Sequence, residues 1–325
     1  MSLLLEVSDL STHFETSRGN IKAVDRISFS VRKGEIHGLV GESGSGKSAT
    51  ALSIMRLVPS PPGRIVSGRV VYQGTDLLSL PEKEMKNYRG GEIAMIFQDP
   101  LSSLNPLIRI GDQIAEVAVA HKNLDKKQAR MSAMKLLELV GISDAETRAR
   151  QYPFELSGGM RQRVMIAIAL AGEPSLLIAD EPTTNLDVTI QAQIFELMGK
   201  IRNELGTSIL LITHNLGLIA WLCERVEIMY SGELVESAET VDLFSHHFHP
   251  YTEALLHAVP DIQVDSDRLL AIQGSVPNPL NLPSGCRFHP RCVYAKEICK
   301  SEYPELQHVD PEHSVRCLKY KYPNW

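Results

Sequence analysis

The run Gly41-Glu42-Ser43-Gly44-Ser45-Gly46-Lys47-Ser48 has residue types and spacing suited to holding a polyphosphate. It matches G-x-x-x-x-G-K-[ST], in which a glycine-rich turn aims backbone N–H groups inward at phosphate oxygens. Lys47 adds a full positive charge and the Ser48 hydroxyl can hold Mg²⁺. A helix beginning there, with Ala49 in its first turn, adds the partial charge of its N-terminus. A second stretch supplies the acids: Ser175-Leu176-Leu177-Ile178-Ala179 is followed at once by Asp180 and Glu181. A buried strand of that kind delivers its last carboxylates to the sheet edge, where ligands of α/β sheets sit. Asp180 suits Mg²⁺ held through water, and Glu181 suits polarising, or taking a proton from, an attacking water.

The elements needed to position these groups are legible. Glu35 to Val40 reads as a buried strand before the loop, and Ser48 to Met55 as the helix after it. Leu3 to Phe14 and Ile21 to Val31 alternate as strands of an antiparallel sheet do, and Ser67 to Tyr72 reads as another. Glu92 to Phe97 is a further strand. Ile110 to His121 and Asp125 to Val140 carry apolar residues at helical spacing, with Gly141 as a natural stop, and form a helical insert. Beyond Gly159 helices (Met160 to Ala171, Val188 to Leu205, Asn215 to Glu224) alternate with apolar strands (Ser175 to Ala179, Ser208 to Thr213). That alternation predicts an α/β core with a parallel sheet covered on both faces.

Composition narrows the class. The 325 residues are 43% hydrophobic and 22% charged, the balance of a soluble globular protein with room for one large domain and a smaller appendage. The net charge of −6 gives no basic footprint, so nucleic acid is not an expected partner. The longest apolar runs, Val164 to Ala171 and Ile209 to Thr213, are too short to span a bilayer. The first seven residues lack the basic start and cleavage site of a secretory signal, which predicts a cytoplasmic protein. Past about Thr240 periodicity fades and Pro, His and Cys become dense, so a boundary is expected there.

Leu156-Ser157-Gly158-Gly159-Met160-Arg161-Gln162 decides between kinds of nucleotide-binding protein. It is a second anion-binding helix start, and one phosphate chain does not need two such cradles from a single molecule. Here residues 3–240 resemble the ABC (ATP-binding cassette) ATPases, whose signature reads Leu-Ser-Gly-Gly-Gln; this chain has Met160 at the last place. The resemblance implies a P-loop NTPase core with an antiparallel β subdomain and a helical subdomain at about 99–159. It makes Gln98 the Q-loop glutamine that contacts Mg²⁺, Asp187 after Leu186 the D-loop residue, and His214 the switch histidine at the γ-phosphate. Phe14 stands where the family stacks an aromatic on adenine, though a core role is open to it. Asn185 and Asn215 depart from the small residue and the acid common at those places. The family pairs two cassettes head to tail, each ATP lying between the P-loop of one and Ser157, Gly158 and Gly159 of the other, so a partner ATPase is implied.

Gln98-Asp99-Pro100-Leu101-Ser102-Ser103-Leu104-Asn105-Pro106 and His249-Pro250-Tyr251-Thr252-Glu253-Ala254-Leu255-Leu256 are similar to the peptide and nickel permease ATPases. Gly274-Ser275-Val276-Pro277 and Cys286-Arg287-Phe288-His289-Pro290-Arg291-Cys292 point to their oligopeptide/dipeptide subgroup, with the dipeptide ATPases most similar. Two permease subunits, a sister or identical ATPase and an extracytoplasmic binding protein are the implied partners, with the chain peripheral at the cytoplasmic membrane face. Coupling helices of the permeases would dock on the helical insert. Nickel-chelate import is the alternative cargo; a soluble ABC ATPase acting on nucleic acid or ribosomes is a remoter reading.

The tail, 241–325, holds four of the five cysteines, Cys286, Cys292, Cys299 and Cys317. A disulfide does not suit a reducing cytoplasm, whereas four thiolates in a turn-rich segment suit a metal centre that stabilises a small core. Their spacing is looser than a Cys-x₂-Cys zinc knuckle. The subgroup's tail is similar to a [4Fe–4S]-binding one, so that cluster is expected, with Zn²⁺ the alternative and unligated thiols a third possibility. His289 and His313 are expected at the surface or as substitute ligands, and Cys223 in a core.

Overall fold

The computed structural model describes residues 2–99, 103–184, 186–258, 272–322 and 325. The departure Asn185 and part of the Q-loop continuation, 100–102, lie outside the described residues. The chain divides into two compact units, one comprising 1–4, 32–35 and 79–212, the other 5–31, 36–78 and 213–325.

The first unit is built on parallel strands Ile93–Ile96, Leu176–Asp180 and Ser208–Thr213, with Leu176–Asp180 in the middle. All residues of the last two strands are buried. Burial on both faces is why their sequences read as unbroken apolar runs rather than alternating ones. The helical insert appears as Ile110–Lys122, Lys126–Leu139 and the short Ala145–Ala149. Asp125 and Gln128 form a reciprocal capping box at the start of Lys126–Leu139. Gly158–Leu170 begins on the cap Ser157, and Val188–Leu205 on the cap Asp187.

The second unit holds two sheets. Leu3–Thr16, Gly19–Arg32, Gly63–Tyr72 and Thr75–Asp76 make an antiparallel layer, as their alternation implied. The other contains Ile36–Val40, which pairs in parallel with Arg225–Tyr230; that strand turns at Ser231-Gly232 into antiparallel Glu233–Glu239. Helices Thr240–Ser245 and Pro250–His257 follow. The tail then returns: His313–Val315 pairs with Glu236 and Ser237, and Gln307–Asp310 adds outside it. Residues beyond 240 therefore extend the sheet that begins at Ile36.

Candidate nucleotide site and thiol pocket

In the second unit the P-loop joins the buried strand Ile36–Val40 to helix Lys47–Ile54. Gly46 has φ +111°, and a Cβ on it would lie 2.2 Å from the Ala23 carbonyl oxygen. A Cβ on Gly41 would meet the Met229 carbonyl oxygen at the same separation, 2.2 Å. Both positions require glycine, because neighbouring backbone closes on the loop from below. The buried Lys47 ammonium donates to the carbonyls of Gly41 (2.8 Å) and Glu42 (3.0 Å), which arches the loop over it. Gly232 N–H donates to the Ser45 carbonyl at 2.8 Å, tying the loop to the Ser231-Gly232 turn. Ser43 and Gly44 are exposed, Ser48 and Ala49 half-buried. Phe14 is half-buried and pairs across strands with Gly63, whose absent side chain makes room for its ring. His214 is exposed just after the buried Thr213, and Asn215 caps helix Leu216–Leu222.

In the first unit Asp180 ends its strand buried, 4% exposed. Glu181 then adopts φ +46°, a left-handed conformation that costs a non-glycine residue about 1–2 kcal/mol. Its N–H donates to the Ile212 carbonyl at 2.9 Å, so the neighbouring strand holds the chain in that conformation. The carboxylate is fixed as well: Gln98 Nε2 donates to Glu181 Oε2 at 3.1 Å and Thr184 Oγ1 donates to the same oxygen at 3.0 Å. Gln98, expected at Mg²⁺, and Glu181, the expected base, are thus in contact. Thr184 was not anticipated as a partner, although its place three residues after Glu181 is a natural return-turn spacing.

The glycine-lined helix start lies in this same unit. Ser157 Oγ accepts from Met160 N–H at 3.4 Å, and Ser157 and Gly158 are exposed. A Cβ on Gly159 would reach Ile190 at 3.0 Å, so its smallness lets the helix approach the first turn of Val188–Leu205. Asp187, also exposed, accepts from Ile190 N–H at 3.0 Å. The turns at Gly159 and at Asp187 therefore adjoin through Ile190.

The four tail cysteines line one small cavity, about 20 Å³, together with Phe288, Leu318 and Trp325. That volume admits about one water. Burial pushes the Cys286 thiol up to about 12 and Cys317 up to about 11, and raises Cys292 as well. Among the described residues no three His, Cys, Asp or Glu side chains are grouped as one metal ion requires. His289 lines the cavity and its Nδ1 lies 2.9 Å from the Cys286 carbonyl oxygen. His313 is not a surface residue: it is 1% exposed, between Asp242 (2.7 Å from Nδ1) and Glu236 (2.9 Å from Nε2). Burial alone lowers its pKa, but the two carboxylates outweigh burial and raise it. His249, fully buried, is pushed by burial down to about 4, and its Nδ1 accepts from Tyr251 N–H at 3.0 Å. Cys223 is buried beside Gly38, as expected.

Comparison with known proteins accords with these motifs. Residues 24–184 match the model described as "ABC transporter", and residues 235–299 that described as "Oligopeptide/dipeptide transporter, C-terminal region". The Bacillus subtilis oligopeptide transport ATP-binding protein AppD is 53% identical over 321 residues, covering 99% of this chain and 98% of AppD. The chain belongs to the ABC transporter ATP-binding family. The Salmonella typhimurium oligopeptide transport ATP-binding protein OppD is 46% identical over 318 residues, 98% of this chain and 94% of OppD. Among solved structures, the dimeric post-hydrolysis ATP-binding cassette MJ0796 bound to ADP and Pi matches at 25% identity with TM-score 0.66. That match covers 73% of this chain and 99% of the other. The fold is that of an ABC ATPase cassette, and this member is an ATP-hydrolysing transport subunit. Among the described residues no helix is long and apolar enough to cross a membrane.

Proposed function

We propose that this cassette hydrolyses Mg-ATP to drive import of di- or oligopeptides, working peripherally at the cytoplasmic membrane face. Its partners in this reading are two permease subunits, a sister or identical ATPase and an extracytoplasmic binding protein. The observation that carries the reading is the state of the signature: Ser157 and Gly158 stand exposed at a helix start, available to a phosphate brought by another molecule. Residues 1–240 carry the nucleotide chemistry and 241–325 form the tail of the peptide-transporting subgroup. Gly41 to Ala49 cradle the phosphates, with Lys47 as counter-charge; Ser48, Gln98 and Asp180 serve Mg²⁺; Phe14 stacks on the base. Glu181 polarises the attacking water, His214 reads the γ-phosphate and Asp187 links one cassette to the other. The partner's Mg-ATP neutralises the dipole at Ser157 to Gly159 only in a closed pair, and separated products repel and reopen it.

The test is reconstitution. The chain alone should hydrolyse ATP slowly, and the assembly with permeases in vesicles should accelerate when peptide-loaded binding protein is added. Stimulation by a nickel chelate and not by peptide would move the cargo to the alternative; fast turnover by a monomeric sample would overturn the paired mechanism.

For the thiol pocket we propose a [4Fe–4S] cluster as structural staple, held by Cys286, Cys292, Cys299 and Cys317. Support comes from four thiols lining one cavity, Cys299 buried and the other three half-buried. The cavity admits a water, so loading requires its walls to spread. The bound cluster would hold the thiols deprotonated against the burial that now raises them. Anaerobically purified protein should be brown with broad absorbance near about 400 nm; a colourless sample with stoichiometric zinc, or with neither metal, would remove the assignment.

A further inference from the structure

Part of the P-loop has little side chain with which to hold itself. Ser43 and Gly44 are exposed and Gly46 carries no side chain, and ordering each backbone residue costs about 1–2 kcal/mol. Affinity for a polyphosphate depends on how much of that ordering is complete before the ligand arrives. Within the same unit, the second loop residue, Glu42, is gripped by the tail. Arg291 Nη1 donates to Glu42 Oε2 at 2.6 Å and Nη2 donates to Oε1 at 3.1 Å, a two-point fork. The Arg291 side chain is 3% exposed, and its Nε donates to the Gln273 carbonyl at 3.0 Å, so the fork is itself fixed. Glu42 N–H donates to the hydroxyl oxygen of Tyr251, which is fully buried, at 2.9 Å. Tyr230, Tyr251 and Phe288 pack their rings at 4.7–5.4 Å beneath this contact, and the Arg291 guanidinium lies 5.8 Å from the Tyr230 ring.

We infer that Arg291 and Tyr251, which belong to none of the phosphate-binding motifs, are positioning residues that pre-order the P-loop for the triphosphate of a nucleotide. This inference rests on the ATPase reading. Arg291 clamps the Glu42 side chain and Tyr251 clamps its backbone, so the loop begins from a fixed point, and Ser45 N–H in turn donates to the Glu42 carbonyl at 3.2 Å. The loop 286–292 that carries Arg291 is in turn anchored by the Cys286 N–H, which donates to the Cys299 carbonyl at 2.9 Å. The tail therefore contributes to nucleotide affinity without touching nucleotide.

Equilibrium titration of the full chain with Mg-ATP, alongside amide hydrogen exchange of residues 42–46 without nucleotide, tests this. Arg291→Ala should weaken binding about tenfold and speed exchange in the loop, while the rate at saturating ATP in the assembled transporter changes little. Arg291→Lys should recover only part of the affinity, because an ammonium cannot fork onto both carboxylate oxygens. Tyr251→Phe, which deletes the acceptor and keeps the packing, should weaken binding in the same direction with unchanged saturated rate. Wild-type affinity in both Arg291→Lys and Tyr251→Phe overturns the inference, as does weaker binding with unaltered loop exchange. No ATP binding by the unaltered chain would instead overturn the ATPase reading.

Discussion

Glu181→Gln should bind Mg-ATP as tightly as the unaltered chain and turn it over on the order of 10²- to 10⁴-fold more slowly, the usual worth of a positioned general base. The substitution keeps shape and removes only the charge and basicity. An amide oxygen can still accept from Gln98 Nε2 and Thr184 Oγ1, the two donors that hold the carboxylate at 3.1 and 3.0 Å. The left-handed backbone at Glu181 is fixed by the hydrogen bond to Ile212 and asks nothing of the side-chain charge. With hydrolysis blocked, the closed pair should persist, so gel filtration with Mg-ATP should show a dimeric species or a stable heteromer with the sister cassette. Turnover within a few-fold of the unaltered chain would remove Glu181 from its role and leave Gln98 as the residue to examine. Loss of ATP binding would show that Glu181 is needed to build the site rather than to run it.

The parts of this molecule that sequence reveals are those whose physics is local. The P-loop is legible because its glycines, its lysine and its helix start are consecutive and each has a fixed geometric job. The strands 176–180 and 208–213 announce themselves because burial on both faces leaves no room for polar alternation. Asp187 and Ser157 were legible as motif residues, yet both also cap helices, a second role that their residue types allowed and that the structure makes concrete. The tail behaves differently. Its strands are three and four residues long and polar in part, too short to show a period, and the pairing of His313–Val315 with Glu236 and Ser237 depends on residues some eighty positions earlier. Arg291 and Glu42 stand 249 positions apart, and nothing in either neighbourhood names the other. The cysteine spacing suggested that the four thiols gather but not that they line so small a cavity. His313 looked like a surface residue because the carboxylates that make its burial tolerable lie on other segments.

Arg287 should be the side chain whose loss most damages the folded state. Its Nη2 donates to Asp25 and lies 3.0 Å from Glu233, and its Nη1 donates to the Ser231 carbonyl beside the turn that holds the P-loop. The arginine and Asp25 are each 9% exposed and Glu233 is 3% exposed, so little water screens the cluster. Burial pushes the Asp25 carboxyl up, yet the hydrogen bond and charge of Arg287 outweigh it and hold the group below the ordinary carboxylate range. For Glu233 burial prevails and raises the pKa, with Arg287 and the Tyr303 hydroxyl (2.7 Å) opposing it. Removing the guanidinium therefore strands Asp25 as a buried charge, relieved only in part by Lys22 and Arg26 at 3.6 and 3.8 Å. Arg287→Met should cost about 3–5 kcal/mol, a fall in melting temperature of about 4–7 °C for a chain of this size. Because the damage is electrostatic, Asp25→Asn and Glu233→Gln added to Arg287→Met should restore much of it, as neutral replacements of buried ion clusters often do. A single variant melting within about 2 °C of the unaltered chain would mean that Lys22 and Arg26 already carry the charge balance. A triple variant no more stable than the single would assign the loss to the missing hydrogen bond to the Ser231 carbonyl instead.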